Sequence, residues 1–296
     1  MSLCASTYAK GLQVTLPCLQ HSFPAYDVHC CNESVATDTF FCDTPAQDDG
    51  ILGHAGATMA QLYVGKTSSK TVVYPMRLES DMSKTLEDLI HNHGAPNSLF
   101  SDNAKAQCGK RVLDILRLYG IKDFQSEPHH QHQNFVERKI GDTKRLTDAI
   151  MDRTGTQSSF WLLCLLYVVF LLNHLASDAL GGLTPIYIAT GQRPDISALL
   201  QFRWFEPVLY LVDHSFASDS PEKSGRWVGV AETQGDALTY LILTDDTQKV
   251  ITRSAVRSAL DSNNPNLRAR PNPSFIHATS SGTTSSTSSG DGESSS

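Results

Sequence analysis

The stretch from residue 101 to 145 constrains this chain more than any other. Ser101-Asp102-Asn103-Ala104-Lys105 follows the apolar pair Leu99-Phe100. An amphipathic helical pattern comes next, then a short strand, a His/Gln loop, and Asn134-Phe135-Val136-Glu137-Arg138 opening another helix. A third acid, Asp38, lies upstream in a strand-like run. A strand centre, a strand end and a helix start can converge on one point. Three carboxylates meeting there hold two Mg²⁺ ions about 4 Å apart, the arrangement used for in-line attack on a phosphodiester. Mg²⁺ suits such a site because it takes carboxylate oxygens and keeps water and substrate phosphate as its other ligands. Each acid also has an ordinary role: Asp102 as a helix N-cap, and Glu137 as a charge favoured near the start of a helix.

The flanking pattern is regular. Alternation predicts a first strand over 33–42, with Val35, Thr37, Thr39 and Phe41 on one side and Ala36, Asp38 and Phe40 on the other. Asp43, Asp48 and Asp49 compete for the role of Asp38, but they fall in a Pro/Gly-containing loop and read as solvated. Strands over 57–64 and 70–76, joined by Gly65-Lys66-Thr67-Ser68-Ser69, complete an antiparallel meander. A helix from Ser80 carries apolar Met82, Leu86, Leu89 and Ile90 and is stopped by Gly94 and Pro96. Residues 97–101 form a buried strand, Val112, Ile115, Leu116 and Tyr119 a helix face ended by Gly120, and 122–126 a fifth strand. On the helix after Asn134, Val136, Ile140, Thr147 and Ile150 make a mostly apolar stripe. Glu137, Gly141, Lys144 and Asp148 share another face, where Gly141 leaves room for close backbone approach and Lys144 reads equally as a surface lysine.

Residues 160–172 are wholly apolar yet too few to span a bilayer, so a buried helix packed on several sides is expected. Beyond residue 201, short strands are predicted over 202–213, 225–231, 239–243 and 249–253. The last two flank Thr244-Asp245-Asp246-Thr247, a hairpin signal, so a small barrel-like β domain is expected. From 263 onward Pro, Asn, Ser, Thr and Gly dominate, as in a disordered tail. The expected division is a leader (1–33, irregular), a core (34–155), a helical extension (156–200), the β domain (201–262) and the tail (263–296).

Composition narrows the function. Hydrophobic residues at 40% make a globular chain, and 7 scattered cysteines without a C-x2-C pair fit a reducing compartment. His21, His29, Cys30 and Cys31 lack tetrahedral zinc spacing, and no secretory signal is evident. The net charge of −7 counts against nucleic acid. Distribution matters more than the sum: residues 103–157 carry 10 basic and 7 acidic side chains, which predicts weak, salt-sensitive DNA affinity beside the acids.

Thr37-Asp38-Thr39-Phe40-Phe41, Phe100-Ser101-Asp102-Asn103-Ala104 and Asn134-Phe135-Val136-Glu137-Arg138 resemble the three catalytic motifs of retrotransposon integrases of the copia type. Leu183-Thr184-Pro185-Ile186 and Ala189-Thr190-Gly191-Gln192-Arg193-Pro194 resemble the segment that follows the core in those integrases. The motifs keep the family's order across residues 35–261. Together with the element order, the resemblance implies a ribonuclease-H-like α/β core, a mixed five-stranded sheet with flanking helices, followed by a small all-β domain. It implies a polynucleotidyl transferase in which Asp38, Asp102 and Glu137 are catalytic and hold Mg²⁺ or Mn²⁺. Nucleic-acid contacts carry over to Asn103, Lys105, His130, Asn134, Arg138, Lys144 and Arg145, with His129-His130-Gln131-His132 as a flap over the site. The implied partners are DNA, as element ends and target, and further copies of the chain; no membrane and no small-molecule substrate is expected. The implied location is the nucleus. The chain departs from the family in lacking the zinc-module spacing ahead of the core. Two alternatives stand: a catalytically inactive relative that still binds nucleic acid, and an oligomerisation module built on the 160–175 helix through Leu166 or Phe170.

Overall fold

Near the start of the chain Cys4–Ser6 (β1) pairs antiparallel with Val14–Leu16 (β2). The leader therefore holds a short ladder, which sequence could not show because three-residue strands are too short to display alternation. The protein was analysed as a computed structural model, which describes the backbone of these two strands and residues 29–101, 109–125, 133–232, 234 and 238–269, without the side chains of 125 and 133–136.

Ser34–Phe41 (β3), Met59–Gly65 (β4) and Thr71–Met76 (β5) form the expected antiparallel meander. Met82–His93 (α1) leads to Ser98–Ser101 (β6), and Lys110–Leu118 (α2) leads to Lys122–Gln125 (β7). β6 lies parallel to β3 and β7 parallel to β6, so the sheet order is β5-β4-β3-β6-β7. An antiparallel meander extended past its first strand by two parallel strands, each reached through a helix, is a ribonuclease-H-like fold.

Both faces of this sheet are covered, and the period of two sorts the side chains between them. Val35, Met59, Tyr63, Met76 and Leu99 meet α1 and α2 through Met82, Leu86, Leu89, Ile90, Val112, Ile115 and Leu116. Gly94 ends α1 at φ 92°, and its α-carbon lies so close to His29 that a Cβ would fall 2.6 Å from the His29 carbonyl. Ala36, Phe40, Ala60, Leu62 and Val73 face the opposite way, toward Gln133–Thr154 (α3) and Trp161–His174 (α4).

α4 explains its own composition. Trp161, Leu162, Leu165 and Val169 complete the sheet's second face, while Leu163, Cys164 and Val168 pack with Trp204, Phe205, Val228 and Leu243 of the following domain. Two cores on opposite sides leave no polar side for the helix to show. No helix among the described residues is long and apolar enough to cross a membrane. Pro185–Thr190 (α5) follows, capped by the Thr184 hydroxyl, which accepts from the Tyr187 N–H at 3.2 Å, and ended by left-handed Gly191. The Thr-Pro…Gly spacing quoted above is thus also what a short capped helix requires.

The last domain is all antiparallel: Pro207–Leu211 (β8), Glu222–Val230 (β9), Tyr240–Thr244 (β10), Val250–Arg253 (β11) and Val256–Ser258 (β12), in the order β11-β10-β9-β8-β12. β11 and β12 are the two ends of the sheet, yet only Ser254 and Ala255 separate them. Three Cα–Cα steps reach about 11 Å at most, so the sheet curls until its ends nearly meet. Val208, Tyr210, Trp227, Tyr240 and Ile242 fill the interior. The first strand is shorter than the predicted 202–213, because Phe202, Trp204 and Phe205 are used as packing groups before β8 begins.

Where α1 ends, His93 Nδ1 lies 3.4 Å from the Lys70 ammonium. Burial, reinforced by Lys70, pushes the imidazole from its ordinary value down to about 4. The unfolded chain therefore binds more protons than the native one between pH 6.5 and about 4, and stability falls as pH drops through that window. Thermal melts across it should show a loss that His93→Gln flattens.

Candidate metal and nucleic-acid site

Asp38 sits at the middle of β3, on the face turned toward α3, directly across from Leu62. One carboxylate oxygen accepts the Thr39 N–H at 2.7 Å. Behind it, on the other face, Gln61 Nε2 donates to Thr37 Oγ1 at 2.6 Å, Thr37 Oγ1 donates to the Leu62 carbonyl at 2.7 Å, and Thr39 Oγ1 donates to Gln61 Oε1 at 2.8 Å. Thr37 and Gln61 are buried, and a chain of satisfied polar groups in low dielectric stiffens the strand that carries the acid.

β6 runs beside β3 with Thr37 opposite Ser101. The described strand ends at Ser101, one residue short of Asp102. Asp102, Asn103 and Lys105 lie outside the described residues, as does His130 with its neighbouring loop histidines; for Asn134 only the helical backbone is described. The helix expected to open at Asp102 is described from Lys110.

α3 crosses the same sheet face, held by Ile140 against Ala36 and Phe40. It starts at Gln133, so Glu137 falls in the second turn and not the first. Ile140, Thr143 and Thr147 are buried, while Glu137, Arg138, Lys144, Arg145 and Asp148 are exposed, the amphipathic split that the period predicts. At Gly141 a Cβ would meet nothing within 4 Å among the described residues.

The charges divide into two kinds. Arg145 is paired with Asp142, Arg117 with Asp114 at 3.7 Å and Arg111 with Glu87 at 3.4 Å. These surface pairs contribute little to stability, and each sets a carboxylate against its guanidinium. Burial holds the Lys139 ammonium below its ordinary value. Lys144 is different: its Nζ lies 4.6 Å from the centroid of the Phe40 ring. On the same sheet face, Phe100 and Phe124 stack 5.0 Å apart, with Lys66 5.5 Å from the Phe100 ring.

Asp49, expected to be solvated, is buried. Its carboxylate meets His54 Nδ1 at 2.8 Å and accepts the Ile51 N–H at 2.9 Å, while its carbonyl accepts Val250 N–H at 2.7 Å. The loop after β3 thus joins the core to the β domain, a tertiary role that loop composition does not signal. Asp49→Ala should strip a buried imidazole of its partner and cost about 1–3 kcal/mol in urea unfolding. Asp43→Ala, on the exposed part of the loop, should cost almost nothing.

Among the described residues no group of three or more His, Cys, Asp or Glu is assembled to hold a metal. His29, Cys30 and Cys31 belong to that statement; His21 lies outside it. A cleft of about 650 Å³ in the β domain is lined by Asp213, Asp219, Glu222, Asp245 and Asp246 against Lys223 and Arg268, a charge unsuited to phosphate.

The fold and the positions of Asp38 and Glu137 define a ribonuclease-H-like chain with acids on its central strand and on the helix across it. In overall structure the chain is similar to one in the simian T-cell lymphotropic virus intasome in complex with PP2A regulatory subunit B56 gamma, at 16% identity and TM-score 0.43, covering 78% of this chain and 83% of that one. It is also similar to the HTLV-2 integrase catalytic core domain in complex with magnesium, at 18% identity and TM-score 0.41, covering 53% and 96%. The catalytic core domain of BIV integrase stands at 18% and 0.43, covering 54% and 95%. No protein-family model and no curated protein sequence matches the chain.

Proposed function

We propose that this protein is an integrase-like polynucleotidyl transferase of the copia type that joins DNA 3′ ends to target DNA. The observation that carries the proposal is the sheet register. Asp38 occupies the central strand, the neighbouring parallel strand is described up to the residue before Asp102, and Glu137 lies on the helix packed over the same face. On this reading the Asp102 motif, which follows directly on β6, would lie beside Asp38.

The donor set is chemically suited to a hard divalent cation: Asp38 and Glu137 offer carboxylate oxygens, and Asp102 would supply a third. When bound, Mg²⁺ or Mn²⁺ supplies activation of the attacking hydroxyl and neutralisation of phosphate charge. The chain's own part is placement. The Thr37–Gln61–Thr39 network keeps Asp38 from shifting, and Gly141, with no described residue against it, leaves room for a DNA backbone on α3. Lys144 offers a phosphate contact about 10 Å along the helix from Glu137. Binding through phosphates makes target-sequence preference low. DNA and further copies of this chain are the proposed partners, acting in the nucleus. The domain limits proposed are 34–155 for the catalytic core, 156–200 for the helical extension and 201–262 for the β domain.

The test is reversal of joining on a branched duplex that mimics the strand-transfer product, with the full chain and Mg²⁺ or Mn²⁺. Metal-dependent resolution of the branch is the expected result. A folded chain that binds the branched DNA but never resolves it would leave the inactive, nucleic-acid-binding alternative.

A further inference from the structure

Phe40 follows Asp38 by two positions on one face of β3, about 7 Å along the strand. Its ring stacks on the Trp161 indole, with 5.8 Å between centroids and 2° between planes. The two rings are buried, at 7% and 5% exposure, whereas Lys144 above Phe40 is exposed. An ammonium over an aromatic face is attracted by the ring's quadrupole. This contact is unlike those of Arg145 on the same helix and of Arg111 and Arg117 on α2, each of which faces a carboxylate. A carboxylate cancels the charge that an incoming phosphate would meet. A ring orients the ammonium and leaves its charge intact. Among the described residues, Lys144 has no carboxylate within ion-pair distance.

We propose that Phe40, backed by Trp161, is a positioning residue that fixes the Lys144 ammonium beside Asp38 to receive a DNA phosphate. The inference rests on the DNA-handling role given to this site. Its physical content is preorganisation: a long, flexible side chain gives up rotamer freedom before DNA arrives, so less is lost on binding. Because the ring belongs to the central strand, the ammonium is located relative to Asp38 and not merely to its own helix.

Two readouts on the full chain test this. Phe40→Leu keeps apolar bulk without a π face, and Phe40→Trp keeps the face. In the absence of DNA, brief acetic anhydride labelling is quantified at each lysine by peptide mass spectrometry. Phe40→Leu should raise labelling of Lys144 by about two- to fivefold, the loss expected for an exposed cation–π contact. Lys66, Lys122 and Lys139 should label as in the native chain and so report an intact fold, and Phe40→Trp should restore the native rate at Lys144. The second readout is fluorescence anisotropy with a labelled duplex across a KCl series. Phe40→Leu should weaken binding by a similar factor, and Lys144→Gln should lower the salt slope by about 0.9. In the Lys144→Gln background, Phe40→Leu should add nothing.

Unchanged Lys144 labelling in a folded Phe40→Leu chain overturns the inference. Additive effects of the two substitutions on DNA affinity also overturn it, since Phe40 would then act other than through Lys144. A native chain that binds no duplex defeats the DNA-handling role itself and with it the phosphate contact, while the labelling alone still tells whether the ring holds the ammonium.

Discussion

Asp38→Asn is expected to reduce resolution of branched DNA by more than about 100-fold, because even residues that merely orient a metal ligand cost 10–100-fold when lost. Glu137→Gln should do the same, and the double variant should be little worse than either alone, as for groups that act as one unit. Neither substitution should lower the melting temperature. Glu137 is exposed, and Asn at position 38 keeps an oxygen for the Thr39 N–H that the carboxylate now accepts. A second measurement separates chemistry from folding: the native chain should gain thermal stability on adding Mg²⁺ or Mn²⁺, and the gain should vanish in both variants. If Glu137→Gln turns over at the native rate, the acid on α3 is not part of the site and the two-metal mechanism fails. If activity is lost while the metal-linked shift persists, the acids act elsewhere than in metal binding.

Leu165→Ala is expected to have the largest effect on stability. Leu165 is fully buried on α4 against Phe40, Leu62 and Val73, and its neighbours Cys164 and Val168 on the same helix belong to the second core. Truncating a buried leucine costs about 2–5 kcal/mol. For a body of this size that lowers the melting temperature by roughly 5–15 °C. Since α4 is shared, far-UV circular dichroism and the fluorescence of Trp204 and Trp227 should shift together. A β domain that melts at its native temperature while the sheet is destabilised would show that α4 does not couple the two.

The same packing bears on the oligomerisation alternative. The all-apolar helix that prompted it is accounted for by burial within one chain. Leu166 and Phe170, the positions singled out for a subunit contact, are half-buried; Leu166 packs on the sheet-side core and the Phe170 ring lies 4.0 Å from His174. A charge at either position should therefore cost folding stability first, read as a lowered melting temperature at every protein concentration.

The sequence alone determined the meander, both flanking helices, the parallel strands and the antiparallel second domain. The helices are long enough to show their period and have a Gly or Pro at the end: Gly94 and Pro96 after α1, Gly120 after α2. It also singled out Asp38 as a candidate, because an acid on a strand amid β-branched and aromatic neighbours has no local reason to be there. Tertiary structure alone decided how these pieces meet. The bond from Val250 to the Asp49 carbonyl, the double burial of α4, the close approach of Gly94 to His29 and the Lys144–Phe40–Trp161 stack all join residues distant in sequence. Local period and propensity record which way a side chain faces along its own element. They carry no record of what another element brings against it, and it is that contact which settles whether an aspartate is solvated, a glycine needed or a lysine held.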